Sequence, residues 1–114
     1  MPEPLILVVS LWINPTRVAE FVAYERRASR IMARYGGQIE RAIRLDGEPR
    51  SEEPPFEIHI VRFPDEDAFD CYRSDSELTA LSPAREEVIL RTSIERGYRI
   101  HDYDSLHHQE AEHE

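Results

Sequence analysis

The chain has 114 residues, of which 40% are hydrophobic and 32% are charged, so we expect one globular domain rather than a disordered chain. A formal net charge of −9 disfavours nucleic acid and anionic membranes as partners. With one cysteine and no apolar run that resembles a signal peptide or a bilayer span, we expect a cytoplasmic protein.

The first predicted strand, residues 4–13, is almost continuously apolar, and Ser10 is the only polar side chain between residues 5 and 13. A strand with one wet face alternates apolar and polar residues, whereas a continuous apolar run is typical of a strand that is covered on both faces. The protein's own helices can cover one face. We expect a second copy of the chain to cover the other.

Asn14 and Pro15 predict the start of a helix, with Asn14 as the N-cap and Pro15 as the first helical residue. The helix extends to Tyr35, and Gly36-Gly37 predicts a left-handed end. Steps of three and four residues place one apolar stripe on it: Val18, Phe21, Val22, Tyr24, Ala28, Ile31, Met32 and Tyr35.

Two strands follow, at residues 38–45 and 56–63, and the charged, Pro-rich segment 46–55 separates them. Alternation places Ile39, Arg41 and Ile43 on one face of the second strand. In the third strand the residues that share one face are Glu57, His59, Val61 and Phe63, and the residues on the other are Phe56, Ile58, Ile60 and Arg62.

The second helical region begins at Pro64-Asp65, with Asp65 as its predicted N-cap. It is interrupted at residues 74–76 and starts again at Ser82-Pro83, with Val88 and Ile89 facing inward. We predict the fourth strand at residues 96–103. The domain is therefore predicted to span residues 1–103, followed by a flexible polar tail at residues 104–114.

This β-α-β-β-α-β order is typical of a ferredoxin-like α+β fold, with a four-stranded antiparallel sheet in the order 4-1-3-2. The helices then cover one face of the sheet only. An exposed apolar face marks a partner site, and a two-fold dimer is the commonest solution. We therefore predict a homodimer through the open sheet face.

Short segments spread over residues 5–103 carry a resemblance to a known family. They are Phe21 and Tyr24, Ile31 with Arg34-Tyr35-Gly36-Gly37, Phe63-Pro64-Asp65 with Ala68-Phe69 and Tyr72, and Arg85 after Leu81. In these the chain resembles the domain-of-unknown-function family numbered 1330, within the dimeric α+β barrel superfamily. The chain has Ser74-Asp75-Ser76-Glu77 where that family has Ser-Pro-x-Tyr, so no role tied to that segment is carried over.

The resemblance implies a homodimer with a cleft between the sheet and the helices, but it does not imply a particular reaction. The superfamily includes cofactor-free monooxygenases, isomerases, cyclases and haem enzymes, besides proteins of no known activity. The fold alone does not choose among these functions.

His59 is the candidate catalytic residue, because a desolvated imidazole in the middle of a central strand can act as a general base near neutral pH. The alternative is a histidine that is hydrogen-bonded inside a dimer interface or beside its strand neighbours.

Two arginines are candidates for binding an anionic substrate. Arg41 lies among apolar strand neighbours and needs a carboxylate or an anionic ligand, unless it reaches solvent from an edge strand. Arg85 begins the last helical piece, where the helix dipole disfavours a cation. It can bind a substrate carboxylate or pair with a nearby acidic residue.

Three aromatic residues, Tyr24, Tyr72 and Trp12, are candidates for lining a pocket, although aromatic residues are more often part of the core. No phosphate-binding glycine loop, nucleophile elbow or zinc spacing is present, so we expect no metal and no bound cofactor. Two functions stay open: a cofactor-free small-molecule enzyme or binder, and a non-catalytic dimeric metabolite-binding or protein-interaction module.

Overall fold

The computed structural model describes residues 3–100, which form one antiparallel sheet with helices on one side. In chain order the elements are β1 Leu5–Ile13, α1 Val18–Ala33, β2 Gln38–Arg44, β3 Glu57–Phe63, α2 Glu66–Arg73, α3 Ser76–Ala80, α4 Ser82–Val88 and β4 Ile89–Gly97. The strand order is β2-β3-β1-β4. This confirms the predicted ferredoxin-like fold and its central pair, β1 and β3.

The two faces of β1 have different environments although both are apolar. Leu7, Val9 and Leu11 point toward the helices and lie opposite Val61, His59 and Glu57 of β3. Because strand side chains alternate, Ile6 and Val8 point to the other face.

Two apolar clusters join the helices to one face of the sheet. The first contains Leu11, Ile13, Phe21, Tyr24, Ala28, Phe56, Val88 and Ile89. The second contains Leu7, Met32, Val61, Phe63 and Phe69. Within residues 3–100 no helix covers the opposite sheet face, which we call the open face.

Helix α1 begins later than predicted. The Asn14 side chain accepts hydrogen bonds from the Thr16 amide at 3.1 Å and the Thr16 hydroxyl at 2.9 Å. It therefore closes a turn instead of capping a helix, and α1 starts at Val18 with no side-chain cap. The prediction that Pro15 is the first helical residue is wrong, because this asparagine bonds within its own turn.

The end of α1 agrees with the prediction. Gly36 adopts a φ of +75°, which glycine tolerates without strain. At Gly37 glycine is required by packing instead, since a Cβ atom there would lie 2.5 Å from the Phe63 ring and 2.6 Å from Met32 Cγ. The two glycines thus end the helix and let the chain pass close to β3.

Strand β2 contains a bulge that changes its predicted faces. Ile39 lies opposite Val61, but Arg41 lies opposite Ile60, so Glu40 is the extra residue. Such a bulge shifts every later side chain to the other face. Ile39 therefore faces the helices, whereas Arg41 and Ile43 lie on the open face.

The second helical region is broken where the sequence predicts it. Asp65 caps α2 by accepting a hydrogen bond from the Ala68 amide at 2.8 Å. Asp75 caps α3 through the amides of Glu77 and Leu78. Ser82 is the first residue of α4 rather than its cap.

Strand β4 lies seven residues before the predicted position. It starts directly after α4 at Ile89, which lies opposite Ile13 of β1. The β-branched residues Ile89, Thr92 and Ile94 favour an extended chain here. The prediction of a strand at residues 96–103 is wrong, and its last three positions, like the predicted tail at 104–114, lie outside the described residues.

None of the helices in residues 3–100 has the length and apolar character that crossing a bilayer requires.

Candidate functional site

A cavity of about 290 Å³ lies between the sheet and the helices. Much of its wall is apolar: Leu7, Val9, Leu11, Ala28, Met32, Ile39, Val61, Phe63, Phe69, Ile89 and Ile94. Polar side chains also reach it, among them Tyr24, Glu25, His59, Tyr72, Arg85 and Thr92. An apolar cavity with a few convergent polar groups is typical of a small-molecule site, and this volume is at the small end of the usual range.

His59 lies in the sheet wall of this cavity, and its side chain is only 6% exposed. Its Nε2 atom is 2.8 Å from Glu57 Oε1, a neighbour two residues away on the same strand face. The Nδ1 atom lies 4.0 Å from Glu25 Oε1 on α1. The ring therefore points toward the helices and not toward the open face.

Glu57 is held as a carboxylate. Burial tends to raise its pKa, but hydrogen bonds from His59 and Arg44 outweigh this effect and lower the pKa below its ordinary value. Arg44, opposite Glu57 on β2, donates to Glu57 Oε2 from Nε at 2.8 Å and also from Nη2. A carboxylate only accepts hydrogen bonds, so His59 Nε2 carries a proton, and in the neutral form of the ring Nδ1 has the lone pair.

Glu25 is in a different environment. It projects from α1 toward His59, and burial raises the pKa of its carboxyl group. The charges of His59 and Arg85 oppose that effect, and the charge of Glu57 adds to it. His59 therefore lies between one carboxylate that favours its charged form and one carboxyl group that is partly desolvated.

Arg85 reaches the cavity from α4. Its Nη2 atom donates to Thr92 Oγ1 on β4 at 2.7 Å, and it is close enough to Tyr24 to affect the pKa of that phenol. Within residues 3–100 no carboxylate lies at ion-pair distance from its guanidinium group. An arginine with no acidic partner beside an apolar cavity is suited to binding an anion.

Tyr24 and Tyr72, two of the three candidate aromatic residues, both line the cavity. Burial raises the pKa of each phenol, so both are neutral hydrogen-bond donors at physiological pH. The Tyr72 ring also packs against Phe63, with 5.5 Å between the ring centroids.

Arg41 does not reach this cavity. The bulge at Glu40 places its side chain on the open face of an edge strand, where it is exposed. The predicted grouping of Arg41 with Ile39 is therefore wrong, because alternation breaks at a bulge that residue types alone do not reveal.

Trp12 is also on the other side of the sheet. It is buried under Arg91, whose guanidinium carbon lies 4.1 Å from the ring centroid. Arg91 in turn pairs with Glu53 in the loop after β2 at 3.0 Å. Trp12 is not among the residues that line the cavity with Tyr24 and Tyr72, so the three candidate aromatic residues do not line one pocket.

The prediction of site residues missed Glu25 and Thr92. Glu25 follows Phe21 by four residues and precedes Ala28 by three, which places it on the inner stripe of α1. That spacing could have identified Glu25 from the sequence, because burying a single acid on an apolar stripe costs free energy unless the acid has a partner. Thr92 was missed because its strand was predicted elsewhere.

Residues 3–100 contain no group of three or more His, Cys, Asp or Glu side chains with a geometry that could hold a metal ion. Among the described cavity residues, His59 and Glu25 are groups that can transfer protons, and Arg85 is a cation that can bind an anion.

No protein-family model and no curated protein matches the chain, so the resemblance to family 1330 is not confirmed. Solved structures do match. PA3566 from Pseudomonas aeruginosa is 16% identical, with a TM-score of 0.66 over 89% of this chain and 98% of that one. The RPA0582 protein of unknown function from Rhodopseudomonas palustris is 18% identical, with a TM-score of 0.73 over 90% of this chain and 86% of that one.

The chain is also similar to SnoaB, a cofactor-independent oxygenase from Streptomyces nogalater. The identity is 16% and the TM-score is 0.64, over 90% of this chain and 99% of that one. Likeness at this level of identity concerns the fold and not the activity. The chain therefore shares the ferredoxin-like fold of these solved structures.

Proposed function

We propose that the protein is a small-molecule enzyme in which His59 removes a proton from an organic acid bound in the cavity. The observation that carries this proposal is the orientation of the ring. Glu57 fixes Nε2 as the protonated nitrogen, and Nδ1 keeps its lone pair on the side of Glu25. A general base needs this combination of a fixed tautomer and a free lone pair within reach of the substrate.

In the proposed step, a C–H or O–H bond of the substrate breaks and its electron pair stays on the substrate. The proton moves to His59 Nδ1, and Glu57 stabilises the resulting imidazolium. Arg85, positioned by Thr92, binds the negative charge of the substrate. The apolar walls exclude water, which strengthens both interactions.

The similarity to a cofactor-independent oxygenase supports a reaction that begins with proton removal. An electron-rich carbanion can give an electron to dioxygen directly, without a bound metal or organic cofactor. Oxygen uptake is therefore measured in the same incubations that test proton removal.

The experiment has two stages. Carboxylates and phenols are first screened by thermal shift, because a ligand that binds only the folded state raises its melting temperature. Ligands that bind are then incubated with the protein in D₂O, and deuterium incorporation is followed by NMR. We expect H59Q to slow incorporation by about 10²- to 10⁴-fold, the usual contribution of a general base.

Two arginine variants give a matched control for binding. R85Q is expected to weaken ligand binding, whereas R41Q, on the open face, is expected to leave it unchanged. Binding without deuterium exchange in the wild type would contradict the enzyme proposal and favour a metabolite-binding protein. A screen with no thermal shift would favour a protein-interaction module.

We further infer that the protein is a homodimer formed through the open face. Proteins of this fold typically form dimers. Side chains that alternation places on the open face include Ile6, Val8, Ile58 and Ile60, joined by Ile43, which is 42% exposed. An uncovered apolar surface of this kind favours a partner of the same shape.

A further inference from the structure

Two carboxyl groups flank the His59 ring, one on each nitrogen. Glu57 lies 2.8 Å from Nε2, and Glu25 lies 4.0 Å from Nδ1. Only one of them, Glu57, is needed to orient the ring. The second is on the side where the substrate proton arrives, and its presence there needs its own explanation.

The two carboxyl groups differ in their freedom to accept a proton. Glu57 is 10% exposed and is already bonded to both Arg44 and His59. Glu25 is 22% exposed, and among residues 3–100 its one partner at ion-pair distance is His59. A proton on Nδ1 therefore has a path toward water through Glu25, but not through Glu57.

The electrostatic surroundings of Glu25 also suit a proton carrier. The groups that face it are His59 and Glu57 from β3, Arg85 from α4, and Tyr24 and Tyr72 from the helix layer. Burial raises the Glu25 pKa from its ordinary value, so its carboxylate accepts a proton more readily than an exposed glutamate does.

We propose that Glu25 is a second proton-transferring residue of the cavity, which takes the proton from His59 Nδ1 and releases it to solvent. Its role in turnover rests on the function proposed above, whereas the approach of Glu25 to His59 within 4.0 Å is a feature of the ligand-free protein.

The transfer is balanced in protons and charge. The N–H bond at Nδ1 breaks, its electron pair stays on the ring, and an O–H bond forms at Glu25 Oε1. Imidazolium and carboxylate become neutral imidazole and neutral carboxylic acid. The present separation of 4.0 Å exceeds hydrogen-bond length, so the Glu25 side chain must approach by about 1 Å.

The first test uses deuterium exchange in the ligands that bind. We expect E25Q to bind the ligand as the wild type does but to exchange it at least about tenfold more slowly. In acid the wild-type rate should fall along a steeper limb than the E25Q rate, because protonation of Glu25 removes the proton acceptor. E20Q, an exposed site on the same helix, is the control.

E25D keeps an ionisable group but shortens its reach. Deuterium exchange into the ligand should therefore be slower than in the wild type, while the rate still falls in acid as steeply as in the wild type. This variant also serves if E25Q does not fold. Exchange in both variants at the wild-type rate, with the wild-type pH profile, would overturn the proposal.

The second test needs no ligand. Carboxyl ¹³C NMR follows the titration of Glu25 in the wild type and in H59Q, with E25D for assignment. Because the charge of His59 lowers the Glu25 pKa, the midpoint of the Glu25 titration should rise in H59Q. An unchanged midpoint would contradict the proposed interaction between Glu25 and His59. If the wild type incorporates no deuterium into any ligand, the enzyme proposal fails, but this titration still tests whether Glu25 and His59 interact.

Discussion

Glu57 and Glu25 flank one imidazole, yet their surroundings move their pKa values in opposite directions. Glu57 is bonded to Arg44 and His59, which lower its pKa. Glu25 has no such bonds among the described residues, and burial raises its pKa. Two acids of one type thus have separate properties, one as a fixed anion and one as a group that exchanges protons.

The raised pKa of Glu25 predicts a cost in stability at neutral pH. A carboxyl group whose folded pKa lies above its unfolded value stabilises the fold below the unfolded pKa and loses that contribution as the pH rises through the folded pKa. E25Q should therefore have a higher melting temperature than the wild type at neutral pH. The difference should vanish below about pH 4, where the wild-type carboxyl group is neutral in both states.

Calorimetry across this pH range checks the prediction, with E20Q as the exposed control on the same helix. A wild-type protein more stable than E25Q at neutral pH would show that Glu25 is a structural residue. A melting temperature that is instead higher in E25Q than in the wild type is expected for a residue that serves activity and reduces stability.

Gly37 gives a second prediction, because its lack of a side chain is required by packing. In G37A the new methyl group would meet the Phe63 ring and Met32 Cγ. Overpacking of this kind costs about 1–3 kcal/mol. G97A is the matched control, since nothing lies within 4 Å of a Cβ atom there.

Urea unfolding of the two variants measures the difference in the free energy of unfolding. Equal stabilities for G37A and G97A would mean that the chain shifts away from Phe63 without cost.

At the scale of elements, side-chain pairs join the end of α1 to α3, among them Arg34 with Glu77 and Tyr35 with Asp75. The Tyr35 hydroxyl, after the end of α1, donates to Asp75 Oδ2 at 2.5 Å, while Asp75 Oδ1 caps α3. The bond from Tyr35, with smaller contributions from the capped amides of Leu78 and Glu77, holds the Asp75 pKa below its ordinary value.

Y35F is therefore expected to lower the melting temperature at neutral pH. A depressed folded pKa contributes stability above the unfolded pKa, and that contribution is lost as the pH falls through the folded pKa. The difference between Y35F and the wild type should accordingly shrink in acid. Y98F, at a tyrosine that is 79% exposed, should match the wild type throughout, and a Y35F effect independent of pH would contradict this account.

Alternation in β3 was sufficient to predict that His59 and Glu57 share a face, because that strand has no irregularity. The same rule failed in β2, where the extra residue Glu40 reverses the faces of Arg41 and Ile43. Bulges depend on the pairing with a neighbouring strand, which one segment of sequence does not contain.

The error in β4 has a related cause. Val88 and Ile89 continue an apolar helical spacing, so the sequence predicts that the helix includes both residues. In the structure the helix stops at Val88, because Ile89 pairs with Ile13 of β1. Tertiary pairing overrides local preference at this boundary. Because the predicted strand began after Thr92, the predicted site did not include that residue.

At the scale of the whole molecule, the sheet has one face under helices and one, the open face, that no helix of residues 3–100 covers. Ile58 and Ile60 of β3 lie on the uncovered face beside Ile6 and Val8 of β1. These side chains form the centre of the proposed homodimer contact, since both strands are central in the sheet.

Light scattering at micromolar concentration should report a dimer. I60D should give a monomer, because a carboxylate at the centre of an apolar interface is desolvated without a partner. A33D, on the exposed side of α1, adds the same charge elsewhere and should stay dimeric. A monomeric wild type, or a dimeric I60D, would show that the open face is not the interface.

Trp12 is the only tryptophan in the chain, and it is separated from His59 by the thickness of the sheet. It is already buried beneath Arg91 of its own chain, so its emission depends on that intramolecular cover. Ligands that enter the cavity should leave the emission spectrum nearly unchanged, whereas unfolding should shift it to longer wavelength. One cuvette measurement can thus distinguish loss of the fold from ligand binding without any added label.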